Sequence, residues 1–425
     1  MRTWKHLDEK LPSQSDTWVR RTLVCRFLTP VFGGGVEPRK FDSVTPVRAA
    51  SIRGQLRFWW RACNPKGLRD VIELKKAETR IFGGIADSGP TASQVHVAVK
   101  KQPRRPSDLA VYVNGRPFAL QPGMDDLAYA AFPLRSSDER HTHERHIHDV
   151  LFDYGEEKFE VEVAWPKASE AHDDVTHDVE AAIWAWAQFG GLGGRVRRGL
   201  GAVAVEGVVG LEEGWAQYVC PVSAPWPHLG PIESSLAKAP RAFASGREAL
   251  GHLLKVFRKL RQGEIGRNPN GARIPGRPGR SYWPEPDAIR RLYRGVVQGR
   301  HTQPVSNVDA FPRGQFGAPI IFHFQQEQGE REPPNVTLVP KDCHRLASPL
   351  ILRPNASGEN GVSALAVRLC YPFPSQWELL EREHKKASVR VTVTQQEAAG
   401  IRPLCRNGQG SVDVVRRFLD ELSRS

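Results

Sequence analysis

The twelve residues Gly190–Gly201 (GGLGGRVRRGLG) hold six glycines and three arginines, and no other stretch of the chain narrows its fold as much. Glycine reaches backbone angles that a Cβ forbids, so such a run turns tightly and lets main chain approach another surface. Its flanks fix its place. Residues 175–189 put Val179, Ile183 and Trp186 on one face at helical spacing, and 202–209 (AVAVEGVV) read as a strand. The loop therefore joins a helix to a strand. A dinucleotide loop needs the reverse order, and a phosphate loop of the Walker type needs a following Gly-Lys-Ser/Thr. Neither fits. Successive backbone N–H groups in such turns form anion-binding nests, and arginine forks suit phosphate.

The earlier elements set the frame. Residues 18–28 (WVRRTLVCRFL) predict a strand. Ile52, Leu56, Trp59, Trp60 and Cys63 recur at helical spacing and predict a helix over 52–63, capped by Ser51 and ended by Asn64-Pro65. Residues 94–100 and 159–165 alternate with period two, as half-buried strands do. The order is β-α-β-β-α-β, the ferredoxin-like (RRM-like) plan. A Pro- and Trp-rich linker, Cys220–Pro231, follows. Helices are then predicted near 246–261, 287–298 and 411–423, and strands at 316–324, 362–370 and 388–394. The expectation is an α+β chain of two domains, 1–210 and 211–425, with long loops and insertions.

Charge indicates a polyanionic partner. Among 425 residues, 60 Lys plus Arg face 47 Asp plus Glu, a net +13. The excess is clustered. Residues 43–69 carry six Lys/Arg and no acid, and residues 251–300 carry twelve against three. Such patches are the electrostatic footprint of a nucleic-acid binder. A membrane is disfavoured: the longest strongly apolar run, Ala181–Ala187, is far short of the roughly 20 residues of a spanning helix. The N-terminal MRTWKHLDEKLPSQ lacks the apolar core of a secretory signal. Six scattered cysteines without a CxxC pair suit a reducing cytoplasm, and no cofactor is expected.

Two arginine groups are the candidate RNA contacts. Arg53, Arg57 and Arg61 recur every four residues and line one stripe of the first helix, with Arg48 and Ser51 at its start beside Gly33–Gly35. Side chains and helix N–H groups there can grip phosphates together. In the second loop, Gly191, Gly193 and Gly194 would bring the backbone close while Arg195, Arg197 and Arg198 take phosphates. Trp59 and Trp60 could stack on bases, but their spacing favours the core. Residues 198–203 approximate the RNP1 pattern without its aromatics, so contacts should favour the RNA backbone. The alternative is that these arginines form ion pairs within the chain or with a neighbouring subunit.

Thr29–Gly35 (TPVFGGG) and Pro46–Arg61 (PVRAASIRGQLRFWWR) resemble the opening signature of the RAMP superfamily, in the form found in the first RAMP subunit of type III-B (Cmr) CRISPR effector complexes. Gly190–Gly201 resembles the glycine-rich loop shared by RAMP proteins. Arg280–Arg290 (RSYWPEPDAIR), Phe316–Ile320 (FGAPI) and Arg345–Leu350 (RLASPL) are similar to further marks of the same subunit. The resemblance implies two ferredoxin-like domains in an antiviral ribonucleoprotein. It implies a non-catalytic subunit that binds guide RNA (crRNA) near its 3′ region and docks to other RAMP subunits, with target RNA as a second candidate ligand. The resemblance also implies that cutting belongs to a sibling subunit.

The competing reading is a RAMP-family endoribonuclease. Asp42 precedes the first helix, in a loop whose counterpart in sibling subunits carries a cleaving Asp. His141, His143, His146 and His148 could bind a metal or act as general acid and base on repeat RNA. Their H-x-H-x-x-H-x-H spacing matches no zinc-hydrolase motif and would divide between two faces of a strand, which favours a solvated loop.

Overall fold

The computed structural model describes residues 17–33, 35, 42, 44–86, 89–104, 106–113, 116–117, 124–134, 150–169, 172–262, 265–266, 281–293, 306–324, 332–343, 345–356 and 361–425. Its first unit is built from β1 (Trp18–Phe27), α1 (Ala49–Cys63), α2 (Val71–Phe82), β2 (His96–Lys101), β3 (Lys158–Pro166), α3 (Thr176–Phe189) and β4 (Val203–Val205). The sheet order is β4-β1-β3-β2 with every neighbouring pair antiparallel, which is the ferredoxin-like arrangement. Alternation decides the faces. Leu23, Cys25 and Phe27 of β1 are buried with Phe159, Val161 and Val163 of β3, while Arg20 and Lys100 meet Glu162 on the outside.

The helices close the same core. Ile52, Leu56, Trp59 and Trp60 of α1 and Val179, Ile183 and Trp186 of α3 are buried together, each worth about 1.5–3 kcal/mol on removal from water. Trp60 Nε1 donates to Asp178 at 2.8 Å, and Lys66 pairs with the same carboxylate at 2.9 Å. This satisfies a buried acid and settles the tryptophans as core. The cluster also takes in Trp215, Trp226 and Leu229, and Ile351, Val367 and Leu369 from the second half.

The second half runs β5 (Leu236–Phe243), α4 (Gly246–Arg261), α5 (Glu285–Leu292), β6 (Ile320–Phe322), β7 (Val336–Pro340), β8 (Leu350–Ala356), β9 (Val362–Cys370), β10 (Trp377–Glu381), β11 (His384–Val389), α6 (Gln395–Gly400) and α7 (Val414–Leu422). Strand β9 is central, flanked by β5 and β8, both antiparallel to it. Helices α4 and α7 pack with this sheet through Leu250, Leu253, Phe257, Val415, Phe418 and Leu422. This repeats the first unit as β-α-β-β-α. Among the described residues no fourth strand follows.

A third sheet, β6-β7-β10-β11, stands beside α5. The run Trp283–Arg290 explains its seat. Glu285 is fully buried and accepts the Arg313 backbone N–H at 2.9 Å, with the Arg313 Nε 3.2 Å from its other oxygen. Arg290 bonds both oxygens of Glu332 and also reaches Asp287.

Several expectations are corrected. Ser51 does not cap α1: the helix starts two residues earlier, Arg48 stands at the cap with extended backbone, and no side chain caps it. The predicted strand 316–324 is reduced to Ile320–Phe322, because Pro312–Phe316 winds into a 3-10 turn that buries Phe316. The strand predicted over 388–394 lies earlier. Arg390 O accepts the Phe311 N–H, and Thr394 opens a capping box with Glu397 that starts α6. The strand predicted over 202–209 covers only Val203–Val205. No helix among the described residues is long and apolar enough to cross a membrane.

Candidate nucleic-acid interface

The two glycine-bearing segments meet. Gly194 N–H donates to Phe32 O at 2.8 Å and Gly201 N–H to Pro30 O at 2.9 Å. The buried Thr29 hydroxyl donates to Gly199 O at 2.7 Å and accepts from the Ala202 N–H at 2.9 Å. Leu192 N–H closes the loop on Gly201 O. Two positions demand glycine. At Gly201, φ is +64° and a Cβ would strike the Leu192 carbonyl oxygen. At Gly199, φ is +83° and a Cβ would lie 2.6 Å from Leu250 Cδ1 of α4. The loop is therefore a fixed platform wedged between the two halves. Gly191 is buried, whereas Gly193 and Gly194 stand nearer the surface.

The arginines of this platform gather with others. Arg195 is exposed at a left-handed turn, φ 61°. Arg197 Nη1 donates to Ser348 O, and its guanidinium lies 5.8 Å from the Phe58 ring centroid. Arg198 lies over Phe257 of α4 at 4.5 Å, and Arg261 lies over the same ring at 5.9 Å with its Nη1 3.5 Å from the Tyr129 hydroxyl. Among the described residues no carboxylate pairs with Arg197 or Arg198. Burial, followed by the charge of Arg261, pulls the Arg198 pKa down to about 10, with Tyr129 opposing and Arg195 and Arg197 adding to the fall. Burial also lowers Arg197, against the pull of Tyr371. Both remain cationic at neutral pH. Like charges gathered in this way repel one another, more strongly where burial lowers the local dielectric. An oxyanion among them reverses that sign.

The stripe on α1 is differently placed. Arg57 Nε and Arg61 Nη1 share Glu78 of α2 at 2.7 and 2.5 Å, and Arg53 Nη2 donates to Phe82 O at 3.1 Å, at the end of α2. Three of the four arginines around the first helix are thus engaged by α2, a helix that the sequence reading missed, although Arg53 stays exposed. Arg48 reaches Gly35 O at 3.5 Å.

Asp42 is half-buried and bonded within its own loop. Its carboxylate accepts from the Val44 and Thr45 N–H groups at 2.9 Å and from the Thr45 hydroxyl at 2.6 Å. Those bonds, the hydroxyl's first, hold its pKa below the usual carboxylate range. A carboxylate held so is a weak proton acceptor. His141, His143, His146 and His148 lie outside the described residues, as do 267–280 and 294–300 of the basic stretch. Among the described residues no group of three or more His, Cys, Asp or Glu could hold a metal.

One residue escaped the sequence reading altogether. Arg353 of β8 is 1% exposed and donates to Gln188 O at 2.9 Å, Ala187 O at 2.7 Å and Val203 O at 2.5 Å. It ties the end of α3 to the start of β4, on either side of the glycine loop. Asn355 adds a bond to Gln188 O at 3.0 Å. Burial pulls the Arg353 pKa down to about 9, still a guanidinium at neutral pH.

The RAMP superfamily model matches residues 24–204. The CRISPR system Cmr subunit Cmr1-2 of Pyrococcus furiosus is 23% identical over 180 residues, 42% of this chain and 91% of that protein. The crystal structure of apo Cmr1 from Pyrococcus furiosus superposes with a TM-score of 0.44 at 15% identity, over 86% of this chain and 92% of that one. A chain in the cryo-EM structure of the type III-B Cmr-beta bound to cognate target RNA superposes with a TM-score of 0.48 at 10% identity, over 96% of this chain and 99% of that one.

Proposed function

We propose, from the match of residues 24–204 to the RAMP superfamily model, that this chain is a RAMP protein and an RNA-holding subunit of a type III-B Cmr effector ribonucleoprotein. It binds guide RNA near the 3′ region, docks beside other RAMP subunits, and does not itself cut. The observation that carries this reading is the arginine cluster Arg195, Arg197, Arg198 and Arg261, set on a rigid glycine platform with no carboxylate paired to Arg197 or Arg198 among the described residues. A fold that keeps mutually repelling guanidiniums at one place is suited to an anionic ligand. The engaged Asp42 carboxylate supports a holding role over a cutting one.

The role of the α1 arginines follows from their partners. Glu78 offsets one of the two charges of Arg57 and Arg61, so phosphate contact concentrates on the second loop. The test is binding of single-stranded guide RNA to the full chain across a salt series. Arg197→Ala and Arg198→Ala are each expected to flatten the log K against log salt slope by about 0.7 per lost phosphate contact. Arg57→Ala should change it less. Unchanged slopes for both Arg197→Ala and Arg198→Ala would refute the assignment. Recovery of the tagged protein from its host alone, with cut repeat hairpins and no other RAMP subunits, would move the reading to a ribonuclease.

A further inference from the structure

The second loop lacks aromatics, yet the segment of the same chain beside it, after β9, supplies them. Arg197 Nη1 takes the Ser348 carbonyl, and the Tyr371 hydroxyl donates to the adjacent Ala347 carbonyl at 3.3 Å. Arg197 and Tyr371 thus grip successive carbonyls of one segment and stand side by side. Two residues on, Phe373 lies 6.4 Å from the Tyr371 ring, at an interplanar angle of 36°. Behind it, Trp377 stacks on Phe373 at 5.4 Å and 24°. Trp377 is 1% exposed and its Nε1 is held by Pro374 O at 2.9 Å, so the backing is fixed. Phe373 itself is 36% exposed, a large apolar ring left at the surface. The same turn carries a cation: Lys341 Nζ donates to Gln376 Oε1 at 2.8 Å, and its backbone N–H to Gln376 O.

We propose that Tyr371 and Phe373 form a base-stacking platform for single-stranded RNA, continuous with the Arg197 phosphate contact and flanked by Lys341. Every base presents a π-face, and an aromatic beside a cationic track receives it without regard to sequence. Arg197 spends one N–H on Ser348 and has others to offer a phosphate. The platform extends the RNA path from the glycine loop onto the end of β9, so the second half of the chain holds bases while the loop holds backbone. This rests on the RNA-binding reading above, and the two can fail separately.

The experiment uses the full chain and a uridine oligoribonucleotide carrying one 2-aminopurine, moved along the strand position by position. At one position the wild-type protein is expected to quench the probe by stacking. Phe373→Leu fills the same space without a π-face. It is expected to release that quench and weaken binding about tenfold, while leaving the salt slope and the melting temperature unchanged. Phe373→Trp should restore both quench and affinity. If Phe373→Leu binds and quenches as wild type while Arg197→Ala still flattens the salt slope, the platform is refuted and the RNA reading stands. If neither variant alters binding, both are refuted.

Discussion

Replacing Arg353 with leucine tests how the two halves are joined. The guanidinium is 1% exposed, and its three bonds end on Ala187 O, Gln188 O and Val203 O. Leucine fills much of the aliphatic stem but leaves these carbonyls without that donor. Gln188 O keeps its bond from Asn355, so two acceptors lose their side-chain donor; at about 1–3 kcal/mol each, adding incompletely, the net destabilisation is about 3–5 kcal/mol. At about 2 °C per kcal/mol for a chain of this size, the melting temperature falls by about 6–10 °C. Arg353→Lys keeps the charge as a compact ammonium that cannot span three carbonyls, so it should fall between the two. Calorimetry of the three proteins is the assay. A leucine variant melting within about 2 °C of wild type would refute the assignment of Arg353 as the tie between α3, β4 and β8.

Two further perturbations probe the second half. Glu285→Gln leaves Arg313 buried beside a neutral amide. A loss of about 3–5 kcal/mol is expected, with faster hydrogen exchange in Ile320–Phe322 and Val336–Pro340; unchanged exchange there would count against the Glu285–Arg313 pair as the anchor of the third sheet. Glu397 is held down at about 2 by the Arg390 hydrogen bond first and the Thr394 N–H next, below its unfolded value near 4.5. Its contribution is therefore present above about pH 4.5 and lost as pH falls towards 2. The pair is partly exposed, which limits it to about 1 kcal/mol or less. Acid unfolding curves of wild type and Glu397→Gln should separate above pH 4.5 and converge near 2, and a constant offset down to pH 2 would contradict it.

Legibility in the sequence followed the strength of local signals. Helix α4 runs over 246–261 as its spacing predicted, because Ser245 caps it and one apolar stripe persists to Leu260. Strand β9 likewise keeps its predicted ends, being buried along nearly its whole length. Helix α2 was missed although Asp70 caps it, since Val71 and Ile72 point to solvent and break the apolar stripe. With α2 unseen, Glu78 could not be recognised as the partner of Arg57 and Arg61. Strand β8 was hidden by Arg353, Pro354 and Asn355, residues that argue against a central strand until their cross-sheet partners are known. The glycine loop was readable because glycine reports backbone geometry directly. The meeting of Arg198 with Arg261 over Phe257 depends on tertiary packing and left no local trace.

Strand β5 is an outer strand of the second sheet, paired among the described residues only with β9. Lys238, Pro240 and Arg241 are exposed along it, and its register slips between Lys238 and Ala242. Proline withholds a donor, the bulge bends the ladder, and two cations repel a basic copy of the same chain. A neighbour therefore cannot extend this sheet by adding a strand there. That margin is therefore closed to β-pairing, and a partner meeting it would engage side chains instead of backbone.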